Sequence, residues 1–379
     1  MRWWMHLVVY IGVLLGSGTL AVAQPKLKAG FIYVGPIGDY GWTHAHDQGR
    51  QMAQQQLPWL ETTYVESVPE GQVETFIDQM VRQGVRVIFT TSFGFMDGTL
   101  EAANRYPEVI FAHASGFKRA PNMATYMAEF YQIYYLNGLM AGALTKSGKV
   151  GYVGAFPIPE VKRHISAFAI GVREVNPKAT IHVRWILDWF NPAAAKEATE
   201  ALIAEGADVF AFTEDSPTVI QVAAQRGLPS FGHYSPMHDF APEQVVSGQL
   251  VHWDKIYIDF LSKVQAGQYT ARTLQNVDYW WLLPAGAVEL GAKPGLPVNP
   301  AYVGKLQAVK IQETTVYDLA LQRLQQMLQQ DPGFDPFQGP LTDRKGTLRV
   351  PAGKRMTQQE LMTMEWAAAG IVGPWSNEP

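Results

Sequence analysis

The chain has 379 residues, of which 47% are hydrophobic and 17% charged, with a net charge of -4 and no cysteine. That length accommodates two domains with well-buried cores, and the composition excludes a disordered chain or one that is membrane-bound throughout. The small negative charge, with no Lys/Arg cluster to track a phosphate backbone, argues against nucleic acid. Without cysteine there can be no disulfide, no thiol catalysis, no thiolate metal site and no lipid attached to Cys.

The first segment reads as a secretory signal peptide: Arg2 and His6 precede an apolar run over 7–15, and Ala21-Val22-Ala23 offers a small-residue cleavage site. The run is shorter than the roughly 18–20 residues that cross a bilayer, so the mature chain is expected in a periplasm, freely soluble.

Strands and helices alternate from there. Strands are predicted over 28–34, 62–67, 86–90, 109–112 and 123–126, with helices over 42–56, 71–83 and 98–105 and a long aromatic-rich helix over 130–145. The pattern restarts with strands over 149–153, 180–185, 209–212 and 228–232 and helices over 159–175, 192–205 and 216–225. Short apolar strands alternating with helices form βαβ units, so two such runs predict two doubly wound α/β lobes with parallel sheets. Lys146-Ser147-Gly148 is the expected break between them.

The remainder is less regular. It reads as a helix over 253–266, a strand over 272–283, a Pro/Gly-rich connection over 284–300 and one amphipathic helix over 301–329. Near the end Thr357 and Glu360 form a capping box. The expected division is therefore a signal peptide at 1–23, a first lobe of 24–145 with about 253–270, a second lobe of 146–252 with about 271–300, and a helical extension over 301–379.

In an open α/β sheet, ligands bind where strands end and helices begin. The turn Gly35-Pro36-Ile37-Gly38-Asp39-Tyr40-Gly41 lies at such an edge and delivers Asp39, Trp42 and Thr43 to a helix start. Its glycines lack the G-x-G spacing that admits a pyrophosphate, and Pro36 removes an N–H, so no nucleotide cofactor is expected. Trp42 is instead read as an exposed platform for a planar ring, with Asp39 beside it to meet ring N–H groups.

The second lobe repeats the arrangement in Asp188-Trp189-Phe190-Asn191-Pro192, and Glu214-Asp215-Ser216-Pro217 sits at another such edge. There Asp215 or Ser216 either caps the next helix or faces the cleft. Ser92-Phe93, Glu129 and Trp253 fall at further edges or at the lobe crossover. His44 and His46 are two apart on a helix and point about 200° from each other, so they do not chelate one metal. No nucleophile elbow and no spacing of two carboxylates argues for catalysis.

These motifs, in this order, resemble the basic membrane protein (BMP) family of ABC-transporter substrate-binding proteins, which includes purine nucleoside receptors. The resemblance covers roughly 26–285 and rests on Gly38-Asp39-Tyr40-Gly41-Trp42-Thr43, Asp188-Trp189-Phe190-Asn191-Pro192, Glu214-Asp215-Ser216-Pro217, Phe231-Gly232 with Ser235-Pro236-Met237, and Trp253 before Tyr257. It implies a type I periplasmic binding fold, two lobes joined by three crossovers and closing on ligand. It implies that Asp39 holds the base, that Trp42 and either Trp189 or Phe190 stack on it, and that Asp215 adds a polar contact. Pro236 stands where the family often has an acid for a ribose hydroxyl, which turns the expectation from a nucleoside to a free base such as adenine. The expected partners are the small-molecule ligand and the inner-membrane permease with its cytoplasmic ATPase. The chain is expected to act as a monomer, without cofactor or catalysis. A sensor domain for a membrane receptor and an exported nucleoside hydrolase are the alternatives.

Overall fold

A computed structural model describes residues 26–329 and 333–376; the expected signal peptide lies outside the described residues. The chain opens with β1 (Leu27–Ile32), α1 (Trp42–Gln56), β2 (Leu60–Val65), α2 (Val73–Arg82), β3 (Val87–Thr90), α3 (Met96–Arg105), β4 (Ile110–Ala114) and β5 (Met123–Ala128). Next come α4 (Tyr131–Leu144), β6 (Lys149–Gly154), α5 (Pro159–Val175), β7 (Thr180–Trp185), α6 (Pro192–Ala204), β8 (Val209–Thr213), α7 (Thr218–Ala224), β9 (Ser230–Tyr234) and β10 (Val245–Val251). Two elements return to the first lobe and one to the second: α8 (Trp253–Gln265), β11 (Asp278–Trp281) and β12 (Val288–Leu290).

The first sheet has six strands in the order β11-β5-β4-β3-β1-β2, all parallel. The second has seven, β12-β10-β9-β8-β6-β7 with one more strand at its edge, and β12 is antiparallel to β10. In both, strand order reverses beside the first strand of the unit, which opens a crevice at the carboxyl edge. Strands such as β3, β4 and β8 are buried at every position because helices cover both sheet faces. These are the two doubly wound lobes of a type I periplasmic binding fold.

Three expected boundaries are corrected. α4 packs on α5 and on β8 and β10, so it belongs to the second lobe, and the first crossover is at Glu129-Phe130 rather than at 145–146. The helix is buried nearly all round, and it approaches α5 so closely that a Cβ at Gly138 would lie 2.2 Å from the Phe168 carbonyl oxygen. β11 falls within the segment assigned to the second lobe, yet it pairs with β5 in the first sheet. The crossovers are thus at Glu129-Phe130, at His252 and over 282–287. They are tied to each other: Glu129 N–H donates to Trp281 O at 2.9 Å, and His252 N–H to Ala287 O at 2.8 Å.

The third correction concerns the extension, which is mixed rather than helical. It contains α9 (Pro300–Gln307), the hairpin of β13 (Lys310–Ile311) and β14 (Thr314–Thr315), α10 (Val316–Met327), the pair β15 (Leu341–Thr342) and β16 (Leu348–Val350), α11 (Gln358–Met362) and β17 (Ile371–Val372). The hairpin breaks the single helix expected over 301–329, and Gln312 in it has a φ of 51°. α11 has the expected capping box, and β17 adds to the second sheet beside β7. Among the described residues, no helix is long and apolar enough to cross a membrane.

Candidate ligand-binding site

Four amides open α1 without intrahelical acceptors, and two carboxylates satisfy them. Asp39 takes Gly41 N–H at 2.8 Å, Thr43 N–H at 3.1 Å and His44 N–H at 2.9 Å. The fourth, Trp42 N–H, goes to Asp215 Oδ1 at 2.8 Å, and Asp215 comes from the other lobe. Here a glycine is required: a Cβ at Gly41 would stand 2.5 Å from Asp215 Oδ1 and 2.6 Å from its Cα. The two acids are buried together. Burial pushes Asp39 up to about 6, and burial with the nearby Asp39 charge raises Asp215.

Trp42 is built into the wall rather than held out as an exposed platform. It is 7% exposed, its indole N–H donates to Thr91 O, and its ring meets His46, Trp253 and Tyr234 at centroid distances of 4.6, 5.2 and 5.3 Å. Trp253 is fully buried and stacks on His46 at 4.1 Å, so it lies behind this wall.

Other cross-lobe contacts close the structure. Trp189 Nε1 donates to Glu70 Oε1 at 3.3 Å, the Ser115 hydroxyl donates to Glu160, and Tyr40 meets Phe240 edge-on at 5.1 Å. Between the lobes they leave a narrow, partly open cavity. The first lobe walls it with Val34, Trp42, Ser92, Phe93 and Ser115; the second contributes Ile158, Glu160, Trp189, Thr213, Asp215, His233 and Tyr234. All but Trp42 and Glu160 stand at or just past the end of a strand, and Ser115 and Tyr234 take left-handed backbone there, with φ of 63° and 60°.

The polar groups of this cavity divide into used and free. Ser92 donates to Glu70, Glu160 accepts from Ser115 and from the Tyr234 hydroxyl at 3.3 Å, and Thr213 is tied to Tyr152. His233 Nε2 and Asp215 Oδ2 are buried and have no partner.

Of the residues expected from sequence, Trp42, Ser92, Phe93, Trp189 and Asp215 line the cavity. Asp39 and Thr43 stand behind it, serving the α1 terminus. Asp188 caps its own turn through Phe190 N–H at 3.1 Å, and neither it nor Phe190 reaches the cavity wall. Glu129 is a hinge residue. Its carboxylate meets Arg163 Nη2 at 2.6 Å and His164 Nε2 at 3.0 Å, and its Oε1 also takes the first amides of α4. Burial alone would raise its pKa, but the Arg163 and His164 partners outweigh it and hold the carboxyl down to about 2. Pro236, expected to mark a missing sugar contact, is exposed and lines an outer groove with His44 and Met52 instead. Sequence reasoning missed Ser115, Glu160, His233 and Tyr234. The strand-end rule, applied after β4 and β9 as it was after β1, would have found all but Glu160.

The sequence profile of Bmp, described as ABC transporter substrate-binding protein PnrA-like, matches residues 26–312. The chain belongs to this family. It is 36% identical over 369 residues to a purine-binding protein of Brucella abortus (strain 2308), covering 97% of this chain and 98% of that one. It is 40% identical over 265 residues to a Haloferax volcanii protein whose name assigns it glucose binding in an ABC transporter, covering 70% of this chain and 65% of that one. An ABC-transporter solute-binding protein from Aeropyrum pernix K1 superposes with a TM-score of 0.67 at 18% identity, over 80% of this chain and 91% of that one, which supports the shared fold. Proteins of this family bind small-molecule ligands and work with permease and ATPase components.

Proposed function

We propose that this substrate-binding protein captures a purine base in the interlobe cavity and presents it to its permease. The observation that carries the reading is the contrast within the cavity between its aromatic walls, Trp42, Phe93, Trp189 and Tyr234, and its few buried unpaired polar atoms, His233 Nε2 and Asp215 Oδ2. A planar base needs few hydrogen bonds and gains roughly 1–3 kcal/mol per aromatic face it stacks on. A hexose carries a hydroxyl on nearly every carbon, and a nucleoside adds a sugar to the base; each would bring more polar groups than the cavity leaves unpaired. Ligand contacts to both lobes would favour the closed form over the open one.

Mass spectrometry of co-purifying small molecules, followed by titration calorimetry with adenine, hypoxanthine, adenosine and glucose, tests the proposal. The bases are expected to bind more tightly than adenosine, and glucose not to bind. Tight binding of glucose, or of no planar heterocycle at all, would overturn it.

A further inference from the structure

His233, at the end of β9, has unlike surroundings at its two ring nitrogens. Nδ1 lies 2.8 Å from the Tyr134 hydroxyl and 3.1 Å from Gln249 Nε2, while Nε2 is unpartnered on the cavity wall. Behind this pair, Asn137 Nδ2 on α4 donates to Gln249 Oε1 on β10 at 2.9 Å. With its oxygen so engaged, Gln249 faces His233 as an N–H donor, and Nδ1 must accept. Turning both amides over would leave Asn137 with a buried unpartnered NH2 in place of the single unpartnered Oδ1 that it has now. Two unmet donors cost more than one unmet acceptor. Burial, reinforced by the neighbouring His164, holds the His233 pKa well below its usual value, so the ring is neutral and carries one proton.

We propose that Asn137 and Gln249 set the hydrogen-bond polarity of the cavity by keeping the His233 proton on Nε2, so that the bound ring must turn an acceptor to that wall. For the ligand's identity this rests on the purine reading; for the tautomer it does not. Neither Asn137 nor Gln249 lines the cavity, and both are positioning residues acting through His233. The matching acceptor on a purine is a ring nitrogen or an exocyclic oxygen.

Nitrogen-15 NMR of the ligand-free protein reads the tautomer directly. Wild type is expected to show His233 protonated on Nε2. In Asn137→Asp the new carboxylate accepts the Gln249 NH2, turns Oε1 onto His233 and moves the proton to Nδ1; Gln249→Glu should do the same from the next position. Affinities for adenine and for its 1-deaza, 3-deaza and 7-deaza analogues supply the second readout. In wild type one analogue should bind roughly 5- to 150-fold more weakly, the cost of leaving the His233 N–H unmet, and in Asn137→Asp that gap should close. A wild-type ring protonated on Nδ1 overturns the proposal, as does a tautomer unmoved in both variants or equal affinity for all the analogues. If no purine binds, the purine reading fails, and the NMR tautomers alone still decide the relay.

Discussion

The turns that follow β1 and β7 both carry an acid and a tryptophan to the start of a helix, yet they do different work. In the first, Asp39 and Trp42 are buried, and Trp42 is held by Thr91 O, by three neighbouring rings and by its own amide on Asp215. In the second, Asp188 and Trp189 are only partly buried, and Trp189 touches Phe156 at 5.1 Å and Glu70 across the mouth. One turn is a packed wall to which the opposite lobe docks; the other is a less buried jaw that meets the first lobe through the Trp189 indole. Similar residue types at similar sheet edges therefore predict the place of a site better than the burial of its parts.

Removing each indole would separate the two roles. Trp42→Ala should give the largest effect, a stability loss of about 3–5 kcal/mol in denaturant unfolding, because it empties a packed position next to Trp253 and His46 as well as a cavity wall. Trp189→Ala should leave the unfolding midpoint near wild type and cost roughly 1–3 kcal/mol of affinity for adenine in calorimetry. If both variants lost affinity alone, Trp42 would be no more structural than Trp189, and the contrast between wall and jaw would collapse.

The lobes themselves were legible because their strands are short apolar runs between helical segments, a pattern that tertiary context rarely overrides. Lobe membership was harder to read. Nothing in the composition of α4 tells that its apolar faces meet α5 and β10, and β11 reads like any other aromatic strand until its partner β5 is known. At the site, the strand-end rule pointed to Ser92-Phe93, Trp189 and Asp215, and these line the cavity. It could not say which acids face a ligand. Asp39, Asp188 and Glu129 all sit at strand-to-helix turns, where unmet amides compete for a carboxylate, and in each case backbone amides take it. Glu160 was invisible because it rides on the first turn of α5 and is defined only by what the other lobe brings to it.

The last effect expected is in pH, and it bears on the same contrast. Asp39 is buried beside Asp215 across the lobe boundary, and its pKa lies near 6 in the closed fold against 3.8 for a free side chain. Below pH 4 the group is protonated in both folded and unfolded chains, and its favourable contribution is complete. Between about 4 and 6 the folded chain binds more protons than the unfolded one, so stability falls as pH rises, by at most roughly 1.4 kcal/mol per pH unit for this single proton. Thermal melts between pH 4 and pH 6.5 should show that slope in wild type and a shallower one in Asp39→Asn, whatever the variant's absolute stability. Equal slopes in the two proteins would mean that closure does not confine Asp39 with Asp215, and that the docking of one lobe on the α1 amides is not what buries the pair.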